Sequence, residues 1–535
     1  MTAVAATSRA AVGMGAIAAL SRMIGFVRVL VIAAVLGTTY LGNAFQSANS
    51  FSNVLFELLA AGALSAVLVP AFVGLLDDDD RAGAEDVAGG VLGAAMVLLG
   101  AVAVIGVLLA PLLARLLTLG VPEDVAVDQR PLVTFLLRLF IPQIVLYAAG
   151  AVATAVLHAQ RRFAITAAAP ISNTVVMVIA LLVFRSMVGP EPTLDLSSAE
   201  RWLLVVAGSG GVIAFVGTLL VALHCTGFRL RPRLARGDPR VQRELAHSGW
   251  GVVLHTGAGL LLGGAIIAGA AVEGAVVAYQ VAFVFFLAPY AVLAQPIHTA
   301  ILPELVAEGR HDDFEPFRAS TRWALERIAL YVLPVSAAMV ALALPAMRAV
   351  SFGEVDGDGP ELLAAALSML AVGLFPYGAF LLLSRAYYAL DDSRTPGLVA
   401  LASSLVGVLG MAVAALTTQG WARVAGLGAA HSVAYCIGAV VLLRGLTQRT
   451  TGELRPRGVG RMAGVSAGVG LAAWLVADAW LGPDTGRLGE LVGVGLIAAA
   501  GAVLVAAGYR LLGVPGALTQ RLDPPAALAP PEVLA

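Results

Sequence analysis

Apolar stretches of about twenty residues recur along the whole of this chain, and a helix needs a run of that length to cross the hydrocarbon core of a bilayer. Fourteen such stretches can be drawn, at about 11–36, 42–75, 87–118, 131–157, 164–187, 202–226, 248–271, 275–303, 321–347, 361–388, 396–418, 424–446, 459–480 and 489–512. Only helices and closed barrels satisfy every backbone polar group inside lipid. A barrel would show segments of about ten residues with alternating polarity, and these are absent. The composition agrees: 59% of the 535 residues are hydrophobic and 13% charged, against about 25% charged in a soluble domain. The expected fold class is an all-α polytopic membrane protein of about fourteen transmembrane helices. Arg22 and Arg28 interrupt what would otherwise read as a signal-peptide core, so a retained first helix is expected.

The stretch 21–72 stands out within this pattern. It is apolar enough to cross twice, yet it holds Arg22, Arg28, Asn43, Asn49, Asn53 and Glu57. Ionisable groups at membrane depth are costly and usually face a bundle interior or a wet cavity. Arg22 and Arg28 are separated by roughly 9 Å of helical rise and about 240° of azimuth, so both can border a wide cavity mouth. A guanidinium there suits bidentate contact with phosphate, although Arg22 also reads as an interfacial anchor. Glu57 can pair with Arg28 or act as a gate. The asparagines can bond a polar substrate or hold helices together. These six residues are the candidate substrate-binding set, and their charge favours an anionic substrate over a cationic one.

All 33 basic residues are arginine. With a cytoplasmic N-terminus most of them fall on the inner side, while eight, among them Arg115, Arg130 and Arg138, fall toward the other. That bias places both termini inside. The most basic segment, RLRPRLARGDPRVQR at 229–243, reads as a topology anchor and linker, or as a surface for anionic lipid.

Internal similarity divides the chain. AFQSA (44–48) before SAVLVPAF (65–72) is echoed by AYQVA (278–282) before TAILPEL (299–305). FIP (140–142) before LHAQRRF (157–163) is echoed by LFP (374–376) before ALDDSRTP (389–396). Span n therefore resembles span n + 6, a parallel repeat of the kind that places a transporter site between two lobes. The expected domains are an N-lobe over 1–228, a basic cytoplasmic linker over 229–247, a C-lobe over 248–447, two further helices over 459–512, and a Pro/Ala-rich tail over 513–535.

The chain carries no Walker-type phosphate loop, no nucleophile–base arrangement, no CxxC and no HxxxH pairing. A transporter without cofactor or metal is therefore expected, rather than an enzyme or a nucleic-acid binder.

SRMIGFVR (21–28), GNAFQSANSFSNVLFELLAAGALSAVLVPAF (42–72), QRRFAITAAAPISN (160–173), ILPELVAEG (301–309) and SRAYYALDDSRTP (384–396) together resemble the MurJ/MviN lipid II flippases, in order, across about 15–450. The resemblance implies the fold of the multidrug/oligosaccharidyl-lipid/polysaccharide exporter superfamily: two pseudo-symmetric six-helix lobes around a central cavity, plus two C-terminal helices forming a groove for a polyprenyl tail. It implies movement of lipid-linked peptidoglycan precursor from the inner to the outer leaflet of a bacterial cytoplasmic membrane, with lipid II, membrane lipids and cell-wall synthesis proteins as partners. The family's cavity arginines map onto Arg22 and Arg28. The chain departs from the commoner family pattern at Asn43, Ser52, Phe56, Glu57, Ala61 and Val284. The alternatives are an exporter of another lipid-linked oligosaccharide or amphipathic compound, and a non-transporting scaffold.

Overall fold

The computed structural model describes residues 21, 23–56, 72–76, 80–233, 249–355, 357–482 and 485–514. Among them there is no strand, and helix dominates. Ten helices are long and apolar enough to cross a membrane, or eleven when one bent pair counts as a single span, and two shorter apolar helices join them. Every one of the fourteen expected spans has a helix within it.

The chain forms two compact units, residues 1–277 with 353–355, and residues 278–352 with 356–535. The lobes of the sequence reading are repeats, whereas these units are packing neighbourhoods, so their borders need not coincide.

The first unit starts with α1 (Met23–Leu36) and α2 (Tyr40–Phe56). The turn between them is closed by Thr39, whose hydroxyl donates to Leu36 O at 2.7 Å and accepts from Gly42 N at 3.1 Å, an N-cap for α2. α3 (Arg81–Leu108) begins at Asp80, whose carboxylate accepts from Gly83 N at 2.8 Å. Pro111 opens the short α4 (Ala110–Leu117). α5 (Glu123–Phe140) and α6 (Gln143–Ala159) form one long span broken at Ile141–Pro142, where proline removes a helical donor. α7 (Phe163–Val188) follows, then α8 (Ser198–Cys225). The start of α8 is set by a reciprocal Ser197–Glu200 capping box. Midway, Val206–Gly210 widens into a π turn. There Gly208 lies so close to the Phe140 ring that a Cβ would meet it at 2.5 Å.

Residues 229–233, the start of the basic segment, run against the first turns of α3. Arg229 N donates to Glu85 Oε1 at 2.9 Å, Arg233 N donates to Gly89 O at 2.9 Å, and the Arg233 side chain pairs with Asp86. α9 (Gly249–Gly269) packs beside α2. Residues 353–355 also belong to this unit: Glu354 N donates to Ala34 O at 2.9 Å, and its carboxylate pairs with Arg185. The core is built on Phe45, Phe72, Phe140, Phe184 and Phe228, with Phe45 edge-on to Phe140 at 5.8 Å.

The second unit holds most of α10 (Ala275–Glu308), which also carries a π turn, at Tyr290–Ala294 after Pro289. α11 (Glu315–Ala341) and α12 (Ala343–Val350) follow. α13 (Gly359–Val372) and α14 (Leu374–Ala389) are bent by 45° at Gly373, just before Pro376. α15 (Arg394–Thr417) and α16 (Gly420–Arg449) complete the set. The final pair, α17 (Val459–Trp480) and α18 (Gly486–Leu511), rests on α11 and α12 through Ala329, Met462, Val505 and Tyr509. Much of α18 is exposed apolar surface, including Leu488, Leu496 and Val503.

The sequence repeat has a backbone counterpart. α6 ends with Arg161 in the left-handed region (φ 58°), Arg161 N on His158 O at 2.8 Å and Arg162 N on Leu157 O at 2.8 Å. α14 ends with Asp391 at φ 56°, Asp391 N on Tyr388 O at 3.0 Å and Asp392 N on Tyr387 O at 3.0 Å. The same left-handed helix stop therefore closes the fourth and the tenth span.

Candidate functional site

α2 carries a polar seam. Gln46, Asn49, Ser50 and Asn53 recur three and four residues apart, the spacing that puts side chains on one helical face. Ser50 is buried and Asn49 and Asn53 are half-buried. Gln46 is buried, and its Oε1 has no hydrogen-bond partner among the described residues.

At the far end of this seam Asn53 Oδ1 accepts from the Tyr147 hydroxyl of α6 at 2.7 Å. The Phe56 ring lies on the Tyr147 ring at 5.2 Å. Arg28 of α1 is near enough to Tyr147 for the two groups to interact electrostatically. Its Nε is buried and, among the described residues, unpartnered. A guanidinium inside a span with an unsatisfied donor is held at a cost that an incoming anion can offset.

Asn43 has a different task. Its Nδ2 donates to Val272 O at 2.9 Å, and its Oδ1 accepts from Val276 N at 3.1 Å. Both ends of the amide are committed to the turn between α9 and α10, so Asn43 braces backbone. Arg22 and Glu57 lie outside the described residues, and so does the expected Arg28–Glu57 ion pair. The structure thus joins Asn53 to Tyr147, leaves Arg28 within electrostatic range of that tyrosine, places Asn49 one turn along the same face, and sets Asn43 apart.

The reading from sequence left out Tyr147 and Gln46. Tyr147 sits in QIVLYAAGAVATAV, and its signal was the one aromatic ring in that run.

The second unit holds a buried polar pair in an aromatic nest. The Tyr279 hydroxyl and His431 Nδ1 lie 2.7 Å apart, ringed by Phe283, Phe286 and Tyr435. His431 Nε2 has no partner among the described residues. No three His, Cys, Asp or Glu side chains converge as a metal site among the described residues.

The family model for the lipid II flippase MurJ matches residues 32–482. The chain belongs to the lipid II flippase MurJ family. It is similar to a probable lipid II flippase MurJ of Rhizobium tropici, 26% identical over 383 residues, which are 70% of this chain and 69% of that protein. It is likewise similar to the lipid II flippase MurJ of Burkholderia cenocepacia, 27% identical over 447 residues, 80% of this chain and 82% of that one. Among solved structures, a lipid II flippase MurJ in an inward closed conformation matches with a TM-score of 0.73 at 17% identity, covering 93% of this chain and 99% of that one. An inward-facing multidrug resistance MATE family transporter of the MOP superfamily matches with a TM-score of 0.61 at 13% identity, covering 82% and 98%. The MurJ fold is therefore this chain's fold, an all-α multi-pass membrane architecture.

Proposed function

We propose that this chain flips lipid II from the inner to the outer leaflet of the bacterial cytoplasmic membrane by alternating access, for cell-wall synthesis, with both termini in the cytoplasm. The observation that carries this reading, beside membership of the MurJ family, is Arg28: a cation within a span, with a buried Nε that has no partner among the described residues. A diphosphate headgroup is the complementary charge. A guanidinium contacts it through two parallel donors, which gives orientation as well as energy.

In this reading Arg28 holds the diphosphate, and Arg22, earlier in the sequence, draws it in. Asn49 and Asn53 offer hydrogen bonds from their side-chain amides to the sugar or peptide, and Tyr147 fixes the Asn53 rotamer. Asn43 supports the site indirectly through the α9–α10 turn, and Glu57 competes with substrate for Arg28. Alternating access requires that the anion be bound in one state and released in the other, so the Arg28 contacts must differ between states.

The test is depletion of the protein in its own host with assay of lipid II on each leaflet. Accumulation inside with loss outside, rescued by wild type and not by Arg28→Ala, is the expected result. Unchanged lipid II would overturn the reading. It would turn attention to another lipid-linked oligosaccharide or amphipathic cargo, or to a scaffold role.

A further inference from the structure

A second cationic feature lies on the first unit, at the end of α3–α5 remote from Arg233. Here α4 and α5 border an open groove of about 580 Å³ lined by Arg115, Arg130, Arg138, Thr134 and Phe135. None of these residues belongs to the Arg28 seam.

The helices explain why three guanidiniums meet. Residues 130, 134 and 138 are successive turns of one face of α5. Helical side chains lean toward the helix N-terminus, so Arg138 reaches back along that face toward Arg130. Arg115 sits in the last turn of α4, where the helix dipole favours a cation.

Their charges are unequally satisfied. Arg130 makes a double contact with Glu123, at 2.7 and 3.1 Å, and its Nε donates to Thr118 at 3.3 Å. Arg115 and Arg138 are exposed and make no ion pair or side-chain hydrogen bond among the described residues. Asp124 and Asp128 are on the same helix but do not line the groove. Two positive charges are therefore left uncompensated around one space.

The surroundings are those of a lipid-facing surface. Leu108, Leu112 and Val127 are largely exposed beside the groove, and Trp202, 53% exposed, meets Phe135 edge-on at 5.8 Å. Apolar side chains exposed on a membrane protein are covered by acyl chains, and tryptophan marks the headgroup level. Arg138 stands exposed in the apolar run LVTFLLRLF, from which a long side chain can reach the interface by snorkelling. By the topology above this is the outer side, where arginine is disfavoured as an anchor, and three on one groove ask for a ligand.

We infer that this groove binds the phosphate headgroup of an anionic phospholipid of the outer leaflet, with Arg115 and Arg138 on the phosphate and the acyl chains over Leu112 and Val127. Arg130, held by Glu123, shapes the wall and adds a third positive charge. The volume is in the range of small-ligand sites. The inference is independent of transport through the Arg28 seam.

The test is native mass spectrometry of the full chain in zwitterionic detergent with added phosphatidylglycerol or phosphatidylcholine. Wild type should retain phosphatidylglycerol preferentially. The Arg115→Gln/Arg138→Gln pair should lower that preference by about tenfold or more, as loss of charge-assisted bonds requires. Thr134→Trp, which fills the groove without changing charge, should do the same. Arg28→Ala should leave it unchanged. Equal retention of the two lipids by wild type, or full phosphatidylglycerol retention by both groove variants, would overturn the inference. So would displacement of the lipid by inorganic phosphate alone at millimolar concentration, which would mark a site for free anions.

Discussion

Tyr147 donates its hydroxyl to Asn53 Oδ1 at 2.7 Å, tying α6 to the polar face of α2. Removing the hydroxyl by Tyr147→Phe keeps the ring against Phe56 and frees the asparagine. We expect a loss of about 0.5–1.5 kcal/mol in thermal stability, the usual net worth of such a bond, and a clear fall in lipid II transport because Asn53 loses its orientation. Transport at the wild-type level in a leaflet-resolved assay would detach Asn53 from the site.

Arg28→Ala should abolish transport without lowering the melting temperature in detergent, since Arg28 Nε has no partner among the described residues and a buried donor left unpaired costs stability. Arg28→Lys keeps the charge but not the planar fork, and should transport at least about tenfold more slowly than wild type. A variant Arg28→Ala that melts well below wild type would make the residue structural.

Asn43→Asp is the informative change at the α9–α10 turn. A carboxylate can still accept from Val276 N, but it cannot donate to Val272 O and faces that oxygen with like charge. Destabilisation of about 1–3 kcal/mol is expected, the penalty of a buried group left unsatisfied. Asn43→Asp with wild-type stability would show that the turn does not depend on the amide.

Asp392 lies in the turn between α14 and α15. Burial would raise its carboxyl, but the bonds from the Thr395 backbone and hydroxyl and the Arg449 guanidinium at 2.7 Å outweigh it and hold the group below its ordinary 3.8. A depressed folded-state value contributes stability above the unfolded value and loses it as pH falls through the folded one. Asp392→Asn should therefore melt below wild type at pH 7, and the gap should close as the pH is taken below about 4. A gap that is independent of pH would refute the ionic account.

Gly208→Ala should be among the more harmful single-methyl changes in the first unit. The added carbon would meet Phe140 at 2.5 Å, and overpacking a filled site costs about 1–3 kcal/mol. Pairing it with Phe140→Leu should recover part of the loss in a melting assay.

The spans were legible because twenty-residue apolar runs have one cheap solution in lipid, and all fourteen contain helices. The broken spans were legible at Pro142 and Pro376, since proline interrupts a helix by removing a donor. The π turn at Val206–Gly210 was not, because what lies against it, the Phe140 ring beside Gly208, comes from another helix. The polar face of α2 could be read from Asn49 and Asn53. The separate task of Asn43 could not, because its partners, Val272 O and Val276 N, are backbone groups some 230 residues away, and any sequence offers those. Tyr147 stayed hidden for a related reason: a tyrosine in a span is ordinary until the neighbouring helix shows what its hydroxyl meets.

The paired helix stops at Arg161 and Asp391 have one backbone and opposite signs. With Arg162 and Asp392 beside them, one copy presents two cations and the other two anions on the same scaffold of hydrogen bonds. The turn is thus a socket indifferent to what is plugged into it: its shape is written in main-chain geometry, while its electrical character is set separately in each half. Two turns of one shape thus carry opposite charge, and the shape constrains neither sign.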